Sequence, residues 1–320
     1  MFLRENCKYI GQSYIPVSLI HCICNSYFMF YEKEKILCYN SLMKIDFHTH
    51  VFSPDIINNR EKYLQTDPIF AELYSNPKAR LVTSDELISS MDEQGIEKSV
   101  ILNINWHNME LCIKANDYII ESVSRYPERL IGFCMVRLDD PVAACKELER
   151  CIGAGIKGVG ELRPEEAILK NLDRADKVIR YIIQNNLILL THTSEPAGHF
   201  YPGKGNNTPE LIYPLIARYP QLNLVCAHWG GGLPFYALMP EVKKNLCNVY
   251  FDTAASPFLY SPDVYKIVTQ LVDPGTILFG SDYPLLKPVR LIREIQTSGI
   301  SDEIVKKILG ENACRLLKLN

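Results

Sequence analysis

The sequence lacks several features that would place it in a specialised class of protein. Its 34 lysines and arginines are balanced by 37 aspartates and glutamates, so it has no excess of positive charge of the kind that binds nucleic acid. Its 11 cysteines include no CxxC pair, and an odd, scattered set indicates reduced thiols rather than a disulfide framework. We therefore expect a cytoplasmic protein that acts on a small molecule, without a nucleic-acid or membrane partner. A homodimer is left open.

Long apolar runs are also missing. The most apolar stretch, residues 14–30, is interrupted by Pro16, His21 and Asn25, whereas a membrane span takes roughly 20 mostly apolar residues. It has no small-residue cleavage site typical of a signal peptide. We expect residues 1–42 to be a disordered extension or to lie outside the fold, and a single domain of residues 43–320 to begin at Met43.

From Met43 onward, short apolar runs alternate with amphipathic stretches of helical period. This alternation predicts an α/β protein with eight strands, a (β/α)₈ TIM barrel. The alternative is a doubly wound sheet, which needs a glycine-rich loop after its first strand, and His48-Thr49-His50 stands there instead. The predicted strands are 44–49, 99–104, 130–136, 157–162, 187–193, 223–228, 249–253 and 277–281.

Helix start and stop signals support this division. Thr83 and Glu86 have the spacing of a capping box, with Gly95 as the stop, and Asp140-Pro141 opens another helix. The connection at about 52–81 is unusually long, and connections of that length are usually functional. We expect it to be a lid over the barrel mouth.

The chain has only seven histidines, and four of them stand at the ends of predicted strands, where barrel enzymes build their active sites. His48 and His50 are two apart and therefore share one face of a strand. His192 and His228 end two other strands, and Asp282 ends the last. We expect His48, His50, His192 and Asp282 to bind one divalent metal, zinc first and manganese or iron second.

The phase of the first strand decides which side chains point inward. Alternation predicts that Asp46 faces the barrel axis with the two histidines, while Ile45 and Phe47 pack outward against helices. Gly280, beneath Asp282, is expected to leave room in the barrel interior.

Single residues of this kind also have ordinary structural explanations. A lone histidine is more often a hydrogen-bonded structural residue, and we expect this for His107 and His199, which lie in loops. Aromatic residues near strand ends or in the lid could line a substrate pocket or pack. These are Trp106, Trp229, Tyr283, Phe258, Tyr260, Tyr63, Phe70 and Tyr74.

Several motifs together resemble the amidohydrolase superfamily, and more closely its metal-dependent subgroup that includes aminocarboxymuconate semialdehyde decarboxylase. They are residues 45–50 (IDFHTH), 155–158 (GIKG), 191–193 (THT), 227–231 (AHWGG), 279–284 (FGSDYP) and 308–313 (ILGENA). The resemblance implies a barrel of the metal-dependent hydrolase type. It also implies that His48, His50 and His192 hold one metal, that Asp282 is a further ligand or the proton shuttle, and that His228 orients or polarises substrate.

One position departs from the subgroup. The fourth strand ends in Gly160-Glu161-Leu162-Arg163, where many relatives have a Lys-Leu-like pair. Glu161 could face inward as a ligand that bridges to a second metal, or it could pair with Arg163 or Lys157 in solvent.

Three functions are compatible with these residues. The first is hydrolysis of a C–N or C–O bond by a metal-activated water, with Asp282 as proton acceptor and His228 as hydrogen-bond donor. The second is decarboxylation of a small, potentially aromatic, carboxylic acid, with Arg163 and Arg137 binding the departing carboxylate. The third is a binding barrel without catalysis, which predicts a broken ligand set, whereas every candidate position here is chemically competent.

Overall fold

The computed structural model describes residues 43–319, and the expectation for residues 1–42 lies outside them. Eight parallel strands follow one another in chain order around a single sheet. They are β1 (Ile45–His50), β2 (Lys98–Leu102), β3 (Leu130–Cys134), β4 (Gly158–Leu162), β5 (Ile188–Thr191), β6 (Asn223–Cys226), β7 (Val249–Asp252) and β8 (Ile277–Leu278).

The barrel closes between its first and last strands. Phe47 N donates to Phe279 O at 2.8 Å, His50 N donates to Tyr283 O at 2.7 Å, and Asp282 N donates to His48 O at 2.9 Å. The predicted TIM barrel is therefore confirmed, with each strand within a few residues of its expected place.

Helices follow the strands as predicted. In the long connection after β1 they are α1 (Pro54–Asn58), α2 (Arg60–Thr66) and α3 (Pro68–Tyr74). The others are α4 (Ser84–Gln94), α5 (Met109–Arg125), α6 (Pro141–Gly153), α7 (Glu166–Leu169), α8 (Asp176–Gln184), α9 (Pro209–Arg218), α10 (Pro240–Asn245), α11 (Ser256–Leu259), α12 (Asp263–Leu271), α13 (Pro288–Thr297), α14 (Asp302–Lys306) and α15 (Asn312–Leu317). No helix of the described chain is both long and apolar enough to cross a membrane.

Local sequence explains where these helices begin and end. At α4, Thr83 and Glu86 form the complete capping box, and Gly95 ends the helix with φ of 66°, a conformation that glycine adopts without strain. At α6, the Asp140 carboxylate accepts from Ala143 N at 3.1 Å. These caps fix the lengths of the helices and thereby position the strands that follow.

The phase predicted for β1 is wrong in its first half. Asp46 pairs with Ser99 but Thr49 pairs with Ile101, so two residues of β1 face one residue of β2. Such a bulge reverses the alternation. Phe47 consequently packs edge-on against Phe133 of β3 at 5.8 Å, a contact with a strand that does not neighbour β1. It belongs with Ile45 to the buried apolar cluster of the strands, while His48 and His50 still face inward.

Candidate metal centre and active site

Four histidines and two carboxylates lie together at the carboxyl end of the barrel, and all except the partly exposed Asp282 are buried. We call this group the cage. It consists of His48 and His50 from β1, Glu161 from β4, and three residues from the loops after β5, β6 and β8, namely His192, His228 and Asp282.

Three atoms of the cage converge most closely. The Nε2 atoms of His48 and His50 are 3.0 Å apart. Asp282 Oδ1 is 3.3 Å from Nε2 of His50 and 3.7 Å from Nε2 of His48. Each atom can donate a lone pair to a common centre, so these side chains form a potential metal-binding group.

Glu161 faces into the cage and connects its two sides. Its Oε2 is 3.7 Å from Nε2 of both His48 and His50. Its Oε1 is 2.9 Å from Nδ1 of His192 and 3.4 Å from Nε2 of His228. The inward orientation expected as one alternative for Glu161 is therefore the one observed. His192 was expected in one ligand set with His48, His50 and Asp282. It contacts Glu161 Oε1, while the other oxygen of Glu161 lies near His48 and His50.

Residues outside the cage fix the orientation of its imidazoles. Asp252, fully buried at the end of β7, accepts from His48 Nδ1 at 2.8 Å with one oxygen and from His228 N at 2.8 Å with the other. His192 Nε2 lies 3.0 Å from the Lys204 carbonyl oxygen. Partners of this kind select the tautomer of a metal-binding histidine. Within residues 43–319, His50 Nδ1 has no such partner.

Glycine at position 280 permits this arrangement. A Cβ there would come within 2.9 Å of His48 Cβ and 3.3 Å of Asp252 Cβ. Its expected role of leaving room in the interior is confirmed, and the room is occupied by His48 and its hydrogen-bonding partner.

The ionisable groups of the cage shift one another's pKa. Burial acts to raise the pKa of Asp282, but the hydrogen bond from His50 and the charges of His48 and His228 lower that pKa to about 2. Glu161 has its pKa lowered well below the usual range, because neighbouring imidazoles outweigh its burial. For His228, burial acts to lower the pKa, and the contacts with Glu161 and Asp282 raise it to about 9. Both carboxylates are therefore ionised at neutral pH.

His192 provides a test of whether a cation fits. Burial lowers the pKa of this imidazole. Its Nδ1 faces Glu161 Oε1, and its Nε2 faces both the Lys204 carbonyl oxygen and the Ser194 hydroxyl. If Nε2 donates to Lys204, the lone pair of Nδ1 points at a carboxylate oxygen. A cation between them removes that conflict. The residues present thus fit a divalent metal held by nitrogen and oxygen ligands.

A cavity of about 400 Å³ opens above the cage, a volume suited to a small molecule. His50, Glu161, His192, His228 and Asp282 contribute to its wall. The connection after β1 also reaches it, through Leu73, Tyr74, Ala79 and Arg80. Further parts of the wall are Asn105, Arg163, His199, Tyr201, Phe258 and Leu285.

The expected substrate-binding residues divide into two groups. Arg163 lines the cavity, where its Nη2 donates to Gly203 O at 2.9 Å and lies 3.5 Å from Glu72 Oε1. Arg137 does not line it, because Asp139 and Glu165 hold its guanidinium at 2.7 and 3.1 Å.

Trp106 and Trp229 were candidates either to line the pocket or to pack, and neither borders the cavity. The Trp106 indole is fully buried, stacks on Phe70 and donates to Asn103 Oδ1 at 2.7 Å. Trp229 donates to Ser256 Oγ at 2.6 Å. Indole N–H groups that already have buried acceptors belong to the packing of the protein.

The other aromatic candidates also divide. Tyr74 and Phe258 border the cavity, whereas Tyr63, Phe70, Tyr260 and Tyr283 do not. Of the two loop histidines, His199 lies at the cavity and His107 does not. The sequence analysis did not identify Asp252, although an acidic residue near the end of a predicted strand was an available signal. It also did not identify Lys204, which contributes only its carbonyl oxygen and therefore has no side-chain signal.

Fold and cage together define a barrel enzyme with a divalent-metal type of site. The family model for amidohydrolases matches residues 45–319, and the chain belongs to that family. It is 23% identical over 288 residues to a gamma-resorcylate decarboxylase of a Polaromonas species, covering 74% of this chain and 87% of the relative. It is 21% identical over 334 residues to the 2-amino-3-carboxymuconate-6-semialdehyde decarboxylase of Dictyostelium discoideum, covering 87% and 92%.

A solved structure shows the same fold. It is a dihydroxybenzoic acid decarboxylase from a Polaromonas species with bound manganese and the inhibitor 2-nitroresorcinol, at a TM-score of 0.68 and 21% identity, covering 87% of this chain and 98% of that one. The resemblance to the amidohydrolase superfamily and to aminocarboxymuconate semialdehyde decarboxylase is confirmed.

Proposed function

We propose that this protein is a metal-dependent decarboxylase of a small aromatic carboxylic acid. The observation that carries the proposal is a cage of imidazoles and ionised carboxylates at the floor of a ligand-sized cavity, in a chain whose curated relatives are decarboxylases. Hydrolysis was the first hypothesis from the sequence, and these relatives favour the alternative instead.

His48, His50 and Asp282 would hold the metal, with His192 and Glu161 as the remaining ligands. A bound divalent cation supplies Lewis-acid polarisation of a substrate oxygen. Manganese, present in the Polaromonas structure, and zinc, favoured from the ligand types, are the two metals to test first.

Asp282 is the group placed to move a proton. As an ionised carboxylate, Asp282 would first take a proton from an acidic hydroxyl of the substrate. It then delivers that proton to the ring carbon as the bond to the carboxyl carbon breaks and CO₂ leaves. His228, whose pKa is raised to about 9, donates a hydrogen bond to the oxygen on which negative charge develops.

Two further parts of the cavity suit an aromatic acid. Arg163 brings a guanidinium to the wall, and a guanidinium recognises carboxylates. Phe258 and Leu285 contribute apolar surface on the cavity against which a ring can pack.

Assay of CO₂ release tests this function. The full chain, loaded with Mn²⁺ or Zn²⁺, is given gamma-resorcylate and other hydroxybenzoates, with the His48→Ala variant as control. We expect CO₂ from at least one acid, loss of both metal and activity in the control, and binding of 2-nitroresorcinol, in which a nitro group replaces the carboxylate. A metal-loaded protein that releases no CO₂ from any of these acids contradicts the proposal.

Hydrolysis stays a second candidate because of Glu161. Its two oxygens face different pairs of histidines, a position from which a carboxylate can serve two cations, and two-metal sites are common in hydrolases. Metal analysis together with an amide, ester and lactone panel separates the candidates. Two equivalents of metal with hydrolysis, and no CO₂, would favour the second.

A further inference from the structure

One phenol from the connection after β1 is held by packing and hydrogen bonds at the wall of the cavity. The Tyr74 ring packs against Phe52 and Phe70, with centroids 5.2 and 5.0 Å away. Its backbone is fixed as well, because Arg60 Nε donates to the Tyr74 carbonyl oxygen at 3.1 Å and Arg60 Nη1 donates to Ala79 O at 3.0 Å. Neither the ring nor its backbone can move away from the cavity without losing these contacts.

The hydroxyl of this residue has no hydrogen-bond acceptor among the described residues. Tyr74 borders the same cavity as Glu161 and Asp282, and among residues 43–319 its phenolic oxygen forms no hydrogen bond. Other phenols nearby are already engaged: Tyr63 donates to Asp55 Oδ2 at 2.6 Å, and Tyr201 donates to Glu195 Oε2 at 3.1 Å. The side chain is partly buried at the cavity wall, so its hydroxyl is available to donate to a molecule bound in the cavity.

We propose that Tyr74 binds the substrate directly, donating a hydrogen bond from its hydroxyl to an anionic oxygen of the aromatic acid. This inference rests on the proposed function and extends the binding site to the connection after β1. A phenol keeps its proton at neutral pH, since its ordinary pKa is about 10. An acid held by the cage at one end would present a carboxylate or phenolate oxygen to this donor. The cage carboxylates are themselves engaged with imidazoles.

The Tyr74→Phe variant removes only the hydroxyl and keeps the ring that packs on Phe52 and Phe70. Its matched control is Tyr63→Phe, the same change in the same connection at a phenol that does not border the cavity. Both are compared with the wild-type full chain, loaded with Mn²⁺, by calorimetric titration of 2-nitroresorcinol, with metal content and Tm measured in parallel.

We expect Tyr74→Phe to weaken the binding of 2-nitroresorcinol by about tenfold, as for loss of a hydrogen bond to a charged group, with metal content and Tm unchanged. Tyr63→Phe should lower Tm, because its bonds to Asp55 and Lys114 are lost, and leave the affinity within about twofold. An affinity in Tyr74→Phe within twofold of wild type overturns the inference. Failure of the proposed function would be visible in the wild type itself, as neither CO₂ release nor 2-nitroresorcinol binding, and would overturn both.

Discussion

Replacing Asp252 with asparagine should disable His48 as a metal ligand without changing the volume of either side chain. Asp252 accepts three hydrogen bonds: from His48 Nδ1 at 2.8 Å, and from the backbone N–H groups of His228 and Ala254 at 2.8 and 3.0 Å. Asparagine has one carbonyl oxygen. If that oxygen accepts from the backbone N–H groups of His228 and Ala254, the NH₂ group of the asparagine faces His48 Nδ1.

The imidazole must then change tautomer. Nδ1 would accept from the new amide, and the proton would move to Nε2, the atom that lies 3.0 Å from His50 Nε2 and points to the cage centre. A protonated Nε2 cannot bind a metal. Loss of an orienting partner of this type weakens metal affinity by about 10- to 100-fold, equivalent to about 1.4–2.7 kcal/mol.

Titration of the metal-free protein with Mn²⁺ measures this effect. Asp67→Asn is the control, because Asp67 is a buried carboxylate that accepts from the backbone N–H groups of Ile69, Phe70 and His107 and touches no cage residue. We expect weaker Mn²⁺ binding only in Asp252→Asn. A Kd for Mn²⁺ within twofold of wild type in that variant would refute the argument that Asp252 sets the tautomer of His48.

Three other variants test separate parts of the account. Asp282→Asn should lower kcat for CO₂ release by at least about 100-fold, because an amide cannot carry the proton. Its circular dichroism should stay native, since asparagine tolerates the φ of 63° at this position. Near-normal turnover would exclude the proton role. Trp106→Phe should lose about 1 kcal/mol of unfolding free energy with the bond to Asn103 and leave KM unchanged, whereas a raised KM would put the indole back among the substrate contacts. Burial acts to raise the pKa of Glu147, but hydrogen bonds from Arg150 and Asn116 lower it overall. The ionised Glu147 therefore stabilises the folded protein above the pKa of the unfolded chain, near 4.3, and this stabilisation is lost as pH falls toward the pKa of the folded protein. The free energy of unfolding in urea should therefore depend less on pH in Glu147→Gln than in wild type between about pH 5 and 3. The same pH dependence in both proteins would argue against a paired Glu147.

The fold was accessible from sequence because its signals are local. Apolar runs and caps such as Thr83 with Glu86 act within a few residues, and they marked the strands and helices closely. The phase of β1 was not accessible, because the bulge between Asp46 and Thr49 arises from pairing with a strand about 50 residues away. A period-2 rule cannot contain that information.

The site was accessible only in part for a similar reason. His48, His50 and Asp282 carry chemistry at strand ends, so the barrel topology alone brings them together. The inward turn of Glu161 and the burial of Trp106 and Trp229 away from the cavity depend on packing between distant segments. Lys204 contributes a carbonyl oxygen, which every residue possesses, so no side-chain pattern could identify it.

Anomalous diffraction from crystals of the full chain grown with Mn²⁺ tests the central claim most directly. The account predicts a manganese peak bounded by Nε2 of His48, Nε2 of His50 and Oδ1 of Asp282, whose mutual distances of 3.0–3.7 Å already enclose a common centre. Saturating Mn²⁺ with no peak among these atoms, or a peak bound only elsewhere in the protein, would contradict it.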